Sequence, residues 1–186
     1  MARVFVITGP SGVGKGTLIR NLISRVPSLE LSVSATTRRP RPGEVDGVDY
    51  HFLTDASFAE KVAEGAFVEH AAYSGRRYGT LRSELDRRTA AGVPVVLEIE
   101  VQGARQVREA LPDAVQVFIV PPSAEALRER LVGRGTDSPE DVERRLKVAE
   151  HELTACDEFQ YQVVNDRLED AVEQLEQIVA RELANG

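Results

Sequence analysis

The stretch that decides the fold is VFVITGPSGVGKGT, residues 4–17. Val4-Phe5-Val6-Ile7 is a short run of β-branched and aromatic residues, of a length for one buried strand and far below membrane-spanning length. It leads into Gly9-x-x-x-x-Gly14-Lys15, the first seven positions of a phosphate-binding loop, lying between a strand and a helix as that chemistry requires. Glycines let the backbone adopt positive φ and bring its N–H groups close to phosphate oxygens. The following helix presents its positive end, and Lys15 can reach the β- and γ-phosphates. The whole segment Gly9, Pro10, Ser11, Gly12, Val13, Gly14, Lys15, Gly16 and Thr17 is therefore the expected phosphate cradle. The eighth motif position is Gly16 rather than Ser or Thr, and Thr17 follows, so the hydroxyl that would help hold Mg²⁺ is displaced by one residue. By itself the loop leaves GTPases, ATPases, small-molecule kinases and helicases open.

Outward from this loop, strand-like runs alternate with amphipathic segments, which predicts an α/β fold with a largely parallel central sheet. The expected strands are Arg3 to Thr8, Val93 to Ile99, Ala114 to Val120 and Tyr161 to Asn165. The expected helices run from Lys15 to Arg25, Gln102 to Ala110, Ser123 to Leu131, Pro139 to Cys156 and Leu168 to Leu183, with apolar residues at three- and four-residue spacing. Ser123 and Ser138 are expected helix caps, the latter with Pro139 at the first helical position. Between residues 34 and 80 the pattern breaks into an inserted lobe of short, antiparallel strands with one helix near Asp55 to Glu64. The expected organisation is one domain: a core of 1–33 and 81–186, a lobe of about 34–80, and a lid of about 133–145.

The chain of 186 residues, 42% hydrophobic and 28% charged, can form a sizeable single core. Its net charge of −7 opposes non-specific binding to nucleic acid or an anionic membrane, since both need excess positive charge. Neither is an expected partner, and no obligate protein partner is evident. Cys156 is the single cysteine, so no internal disulfide forms, and an inert thiol in a reducing compartment is expected. No apolar stretch approaches membrane-spanning length, so a cytoplasmic location is expected.

The segments SVSATTRRPRPGEVDGVDYHFL (32–53), FVEHAAYSGRRYGT (67–80), EIEVQGARQVR (98–108) and RLVGRGT (130–136), taken with the glycine loop, closely resemble the guanylate kinase family. The resemblance extends in order over nearly the whole chain. It implies a P-loop kinase fold with a mixed β lobe for GMP and a short lid. It also implies transfer of the γ-phosphoryl of ATP, with Mg²⁺, to GMP (and dGMP) in purine nucleotide metabolism. A second anion site must face the donor site, and the forked guanidinium groups of Arg38 and Arg41 suit it, with Tyr50 and Tyr78 adding hydroxyls. In the family the matching residues bind the GMP phosphate. Glu69 stands where the family has its guanine acceptor, joined by Ser34, Thr80 and Glu100. A carboxylate accepts from guanine N1–H and the 2-amino group, and adenine would leave it unpaired. Glu100 and Thr80 stand where the family often has Asp and Ser, and Glu100 either touches the base or supports the metal site through water. The resemblance assigns transition-state charge neutralisation to Lys15, Arg130, Arg134 and Arg145, places Asn165 and Asp166 near adenine, and leaves Thr17 for the metal. None of the three histidines lies in a catalytic motif, and His70 is read as structural. Two other readings stand beside this one. A catalytically inactive guanylate kinase-like interaction module would keep the fold with a degraded phosphate loop, unlike the intact Gly9, Gly14 and Lys15 here. A kinase for another small acceptor would make Glu69 and Ser34 coincidental.

Overall fold

The computed structural model describes residues 2–73, 75–133 and 139–185. Among these residues, strands β1 (Val4–Thr8), β2 (Glu30–Leu31), β7 (Val95–Glu98), β8 (Val115–Val120) and β9 (Tyr161–Val164) form a five-stranded sheet. The order is β2-β7-β1-β8-β9 and each adjacent pair runs parallel. Helices cover both faces, so a central strand is apolar at successive positions rather than alternately. In β1, Phe5 and Ile7 pack with Leu18, Ile19 and Leu22 of helix α1 (Lys15–Arg25) and with Val172, Leu175 and Val179 of α7 (Leu168–Ala184). Val4 and Val6 face the other way, against Leu85 of α3 (Arg82–Ala90) and Val101, Ala104 and Val107 of α4 (Val101–Ala110). A smaller cluster joins Leu127 and Leu131 of α5 (Ala124–Val132) to Val142, Leu146 and Ala149 of α6 (Pro139–Leu153). No described helix is long and apolar enough to cross a membrane.

The lobe is a second sheet of β3 (Ala35–Thr36), β4 (His51–Phe52), β5 (Phe67–Tyr73) and β6 (Arg76–Leu81), in the order β4-β3-β6-β5, with helix α2 (Asp55–Ala63) against it. Its own core is small: Ala35, Phe58 and Phe67, with the two phenyl rings stacked at 4.5 Å. The sheet is mixed, because β3 and β4 run parallel while β6 pairs antiparallel with both β3 and β5. The mixed β lobe expected from the family resemblance is thus found, while the antiparallel reading of its strands holds for β3–β6 and β5–β6 but not for β3–β4, where the chain passes through the long 37–50 loop instead of a tight hairpin.

The expected strands are found within a residue or two of their ends. Strand β7 starts later than the apolar run because Pro94 has no N–H to give to the ladder. It ends earlier because Glu100 already caps the next helix. Helix α6 stops at Leu153, where i→i−3 bonds from Thr154 and Ala155 tighten the chain into a 3₁₀ turn over Cys156–Glu158. Ser123 does cap α5, accepting from the Ala126 amide at 3.1 Å, whereas Ser138 lies outside the described residues. Two elements have no apolar signature, β2 with two exposed residues and α3, RSELDRRTA. Helix α3 is laced instead by charge: Glu84 pairs with Arg88 at 2.7 Å and Arg87 at 3.1 Å.

Candidate active site

Strand β1 delivers the glycine loop to the carboxyl edge of the central sheet, and β7 delivers Glu98, Ile99 and Glu100 beside it. Crevices at this edge of a parallel sheet are where such folds place ligands. A cavity of about 370 Å³ opens there, lined at one end by Gly9, Ser11 and Lys15 and at the other by Ser34, Tyr50, Glu69 and Tyr78, with Glu98 and Glu100 between them. The fold thus brings Gly9, Ser11 and Lys15 to one cleft with Ser34, Tyr50, Glu69, Tyr78 and Glu100, whereas Thr17, Arg38, Arg41, Thr80, Arg130, Arg145 and Asn165 are not among its lining residues.

At the donor end, Gly9 has φ 152° and a Cβ there would stand 2.5 Å from the Ile119 carbonyl oxygen, so no other residue fits. Gly14 begins α1 at φ 97°, turning the chain so that the first helical amides face the loop. Lys15 Nζ donates to the Gly9 carbonyl at 2.5 Å and the Pro10 carbonyl at 3.3 Å, folding the ammonium back across the loop. Three side chains from distant elements hold the loop from outside. Arg145 Nη2 donates to Ser11 Oγ at 2.8 Å. Asn165 Nδ2 donates to the Val13 carbonyl at 2.8 Å, and Arg130 donates to the same carbonyl at 3.3 Å and to the Asn165 carbonyl at 2.8 Å. Arg130 and Asn165 are thus tied to the loop's own backbone here. Thr17 is exposed in the first turn of α1, its hydroxyl accepting from Arg20 at 3.2 Å. Arg134 lies outside the described residues, as do residues 135–138 of the expected lid.

At the acceptor end, Glu69 is 3% exposed, and its Oε1 accepts from the Thr80 hydroxyl at 2.7 Å. Burial pushes its carboxyl up to about 7, with the Thr80 bond opposing and the Glu100 charge adding to the shift. The other oxygen, Oε2, points at Gly103, where a Cβ would approach to 2.5 Å. Glu100 is the N-cap of α4, both oxygens accepting backbone amides at 2.7 Å from Gln102 and Gly103. Neither sequence-based alternative for Glu100 included this role.

Arg38 forms a forked pair with Glu44, at 2.8 and 2.9 Å, and its guanidinium lies 5.1 Å from the Tyr50 ring centre and 5.8 Å from that of Phe52. Glu44 also accepts from the Arg41 amide at 2.7 Å. The Arg38 bonds, then that amide, hold the Glu44 carboxyl down at about 2. Arg41 itself is exposed, and Tyr50 and Tyr78 meet edge-on at 6.3 Å. His70 packs among Phe58 and Phe67 in ring contact, in keeping with its structural reading.

Sequence reading passed over three acidic residues, Glu98 and Glu152 in this cleft and Glu44 in the 37–50 loop. Glu44 sits at i+6 from Arg38 in the same loop and is legible as a fork partner only once the loop closes on itself. Glu98, beside Glu100 in EIE, lies with its oxygens 3.6 and 3.8 Å from where a Gly16 Cβ would stand. Glu152 lines the donor end from α6. Burial raises its carboxyl while the Lys15 charge and the Ser11 amide oppose the shift, and its Oε2 is buried without a hydrogen-bond partner.

The guanylate kinase family model matches residues 1–182. A curated guanylate kinase from Gloeobacter violaceus is 54% identical over 183 residues, 98% of this chain and 89% of that protein. The crystal structure of a guanylate kinase from Anaplasma phagocytophilum superposes with a TM-score of 0.77 at 32% identity, covering 98% of this chain and 86% of that one. A gluconokinase from Sinorhizobium meliloti, 18% identical with a TM-score of 0.55 and covering 99% and 94% of the two chains, shares the fold alone. Glycine loop, buried carboxylate in the facing lobe and these matches along almost the full chain lead to one assignment: the protein belongs to the guanylate kinase family.

Proposed function

We propose that the protein transfers the γ-phosphoryl group of ATP to GMP, giving ADP and GDP, with residues 34–80 as the acceptor lobe and dGMP as a further acceptor. The observation that carries this reading is the single cleft joining a glycine phosphate loop to a buried carboxylate, Glu69. In it, the amides of Gly9 to Thr17 and the ammonium of Lys15 receive the ATP phosphates. Glu69 accepts from guanine N1–H and the 2-amino group, Thr80 orients it, and Ser34 offers a further hydroxyl. Arg38, Arg41, Tyr50 and Tyr78 take the GMP phosphate, with Glu44 holding Arg38 until it arrives.

Phosphoryl transfer needs positioning and charge neutralisation more than a protein nucleophile. Lys15, Arg130, Arg134 and Arg145 supply cations around the transferring group, with Arg130 and Arg145 already anchored to the loop through Val13 and Ser11. Asn165 braces the loop and borders the adenine end. The Thr17 hydroxyl and the Glu98 carboxylate are hard oxygen donors flanking Gly16, and they fit Mg²⁺ brought by ATP. Bound there, such an ion would neutralise phosphate charge. Guanine is preferred over adenine because a buried acceptor left without its donors costs about 1–3 kcal/mol, more if charged.

The test measures ADP formation from ATP and Mg²⁺ with GMP, AMP, UMP and CMP offered separately. Turnover with GMP alone is expected, falling by about 10³ or more in Lys15→Ala. A folded protein that binds GMP and turns over no acceptor would overturn the enzyme reading in favour of an interaction module.

A further inference from the structure

Strand β5, which carries Glu69, is the outer strand of the lobe sheet, so the backbone groups on its far side have no strand to pair with. At His70, next to Glu69, one side chain supplies both partners. Gln106 Oε1 accepts from the His70 amide at 3.0 Å, and Gln106 Nε2 donates to the His70 carbonyl at 2.8 Å. A carboxamide is the side-chain group that carries an acceptor and a donor side by side as a neighbouring peptide does. Gln106 therefore completes β5 from helix α4, as a one-residue substitute for a fifth strand.

The placement matters because of what shares that helix face. Gly103 lies one turn before Gln106, and the space left by its missing Cβ is taken by Glu69 Oε2, which would be 2.5 Å from such an atom. The same helix begins at Glu100, whose carboxylate holds the Gly103 amide at 2.7 Å. The ladder between β5 and β6 shifts register between Phe67 and Glu69 and is regular from Glu69↔Thr80 to Tyr73↔Arg76, so the bond pair at His70 grips the strand just where its regular pairing begins.

We propose that Gln106 is a positioning residue for guanine selection: by clamping the His70 main chain to α4, it fixes Glu69 between Thr80 and Gly103 at the height the base requires. The inference rests on the reading of Glu69 as the guanine acceptor. Gln106 itself touches no substrate and acts through the strand.

The experiment compares wild type, Gln106→Met, Glu69→Gln and the double variant in steady state, with ATP and GMP varied in turn and AMP as competing acceptor. Methionine keeps length and packing and removes both bonds. Expected for Gln106→Met is a rise of about tenfold in KM for GMP, KM for ATP within about twofold of wild type, and a matching loss of GMP-over-AMP preference. In the Glu69→Gln background the same change is expected to add less than about twofold, because the group being positioned is already altered. Gln106→Glu, which keeps the bond from the His70 amide and loses the one to its carbonyl, checks the result should the methionine variant fold poorly: its KM for GMP rises and its KM for ATP does not. An unchanged KM for GMP in Gln106→Met, an equal rise in both KM values, or a full effect in the Glu69→Gln background overturns the proposal. A Glu69→Gln variant that binds GMP like wild type overturns instead the reading on which it rests.

Discussion

At Glu69 two demands oppose each other in the proposed role, since a guanine acceptor needs to be ionised and burial disfavours the ion. The carboxyl titrates near 7 in place of 4.5, mainly through desolvation, so the folded protein holds this proton more tightly than the unfolded chain. Stability from this group is therefore full below about 4.5 and is lost as pH rises through 7, by about 3 kcal/mol in all. Glu69→Gln removes the titration, so in urea unfolding it should gain on wild type between pH 5 and pH 8. An equal difference at the two pH values would exclude the shift. Binding follows the opposite sign. Guanine donors favour the carboxylate, so GMP binding expels the proton, and the apparent affinity should fall about tenfold per unit as pH drops below 7. Calorimetry in buffers of different ionisation enthalpy reads the release directly, and Glu69→Gln leaves only the titration of the GMP phosphate as background. The residue type was legible from the sequence through the family pattern. Its elevated titration was not, because desolvation depends on Thr80, Glu100 and α4 closing around it.

Among the elements, α4 begins with the Glu100 carboxylate accepting two of its orphan amides, a charged cap at the positive end of the helix. Glu100→Ala should cost about 1 kcal/mol of stability, while Glu100→Gln, which still offers an acceptor oxygen, should recover much of it. Denaturant midpoints for the two variants decide this, and equal midpoints for Glu100→Ala and wild type would show the cap to be idle. The consequence reaches the site, because Gly103, beside Glu69, is one of the capped amides. The core helices were legible because their apolar residues recur along one face: α1 was read from Lys15 to Arg25, and it has those bounds. Helix α3 was missed because its buried face contains Glu84 and Thr89 alongside Leu85. Its register is maintained by ion pairs, which leave no apolar period. Strand β2, two residues at a sheet edge, is too short for any alternation to register. In the lobe, charged and glycine-rich loops hid the parallel pairing of β3 with β4, which depends on a contact made only after the 37–50 loop folds around Arg38 and Glu44.

For the whole molecule, the proposed reaction is divided between the two sheets. The core holds the glycine loop, the lobe holds Glu69 and the Arg38–Glu44 fork, and the cleft between them is open. Transfer in line requires the reacting oxygen and phosphorus to come within about 3–3.5 Å, with water excluded so that ATP is not hydrolysed before GMP is in place. Strand β5 is anchored, since Val68 packs with Val101 and Ala104 of α4, and Gln106 grips the next turn of strand. Among the described residues the β3–β4 side has no such apolar packing on the central core: its buried residues cluster with Phe58 and Phe67 of the lobe itself, and His51 of β4 comes no nearer to Glu84 of α3 than 3.9 Å. The free edge of the lobe, carrying Arg38, Arg41 and Tyr50, should therefore swing toward the glycine loop with the β5–α4 contact as its pivot. Small-angle scattering should show a smaller radius of gyration with GMP and a non-hydrolysable ATP analogue together than with either alone. A distance label pair on residues 45 and 132, both exposed, should shorten by several ångströms in the same ternary complex. Breaking the fork with Glu44→Gln should weaken GMP binding while leaving ATP binding unchanged, because that contact orders the moving edge and lies away from the glycine loop. Identical scattering and label distances across all ligand states would mean that the cleft already has its reactive shape, and the pivot at β5 and α4 would then have no motion to guide.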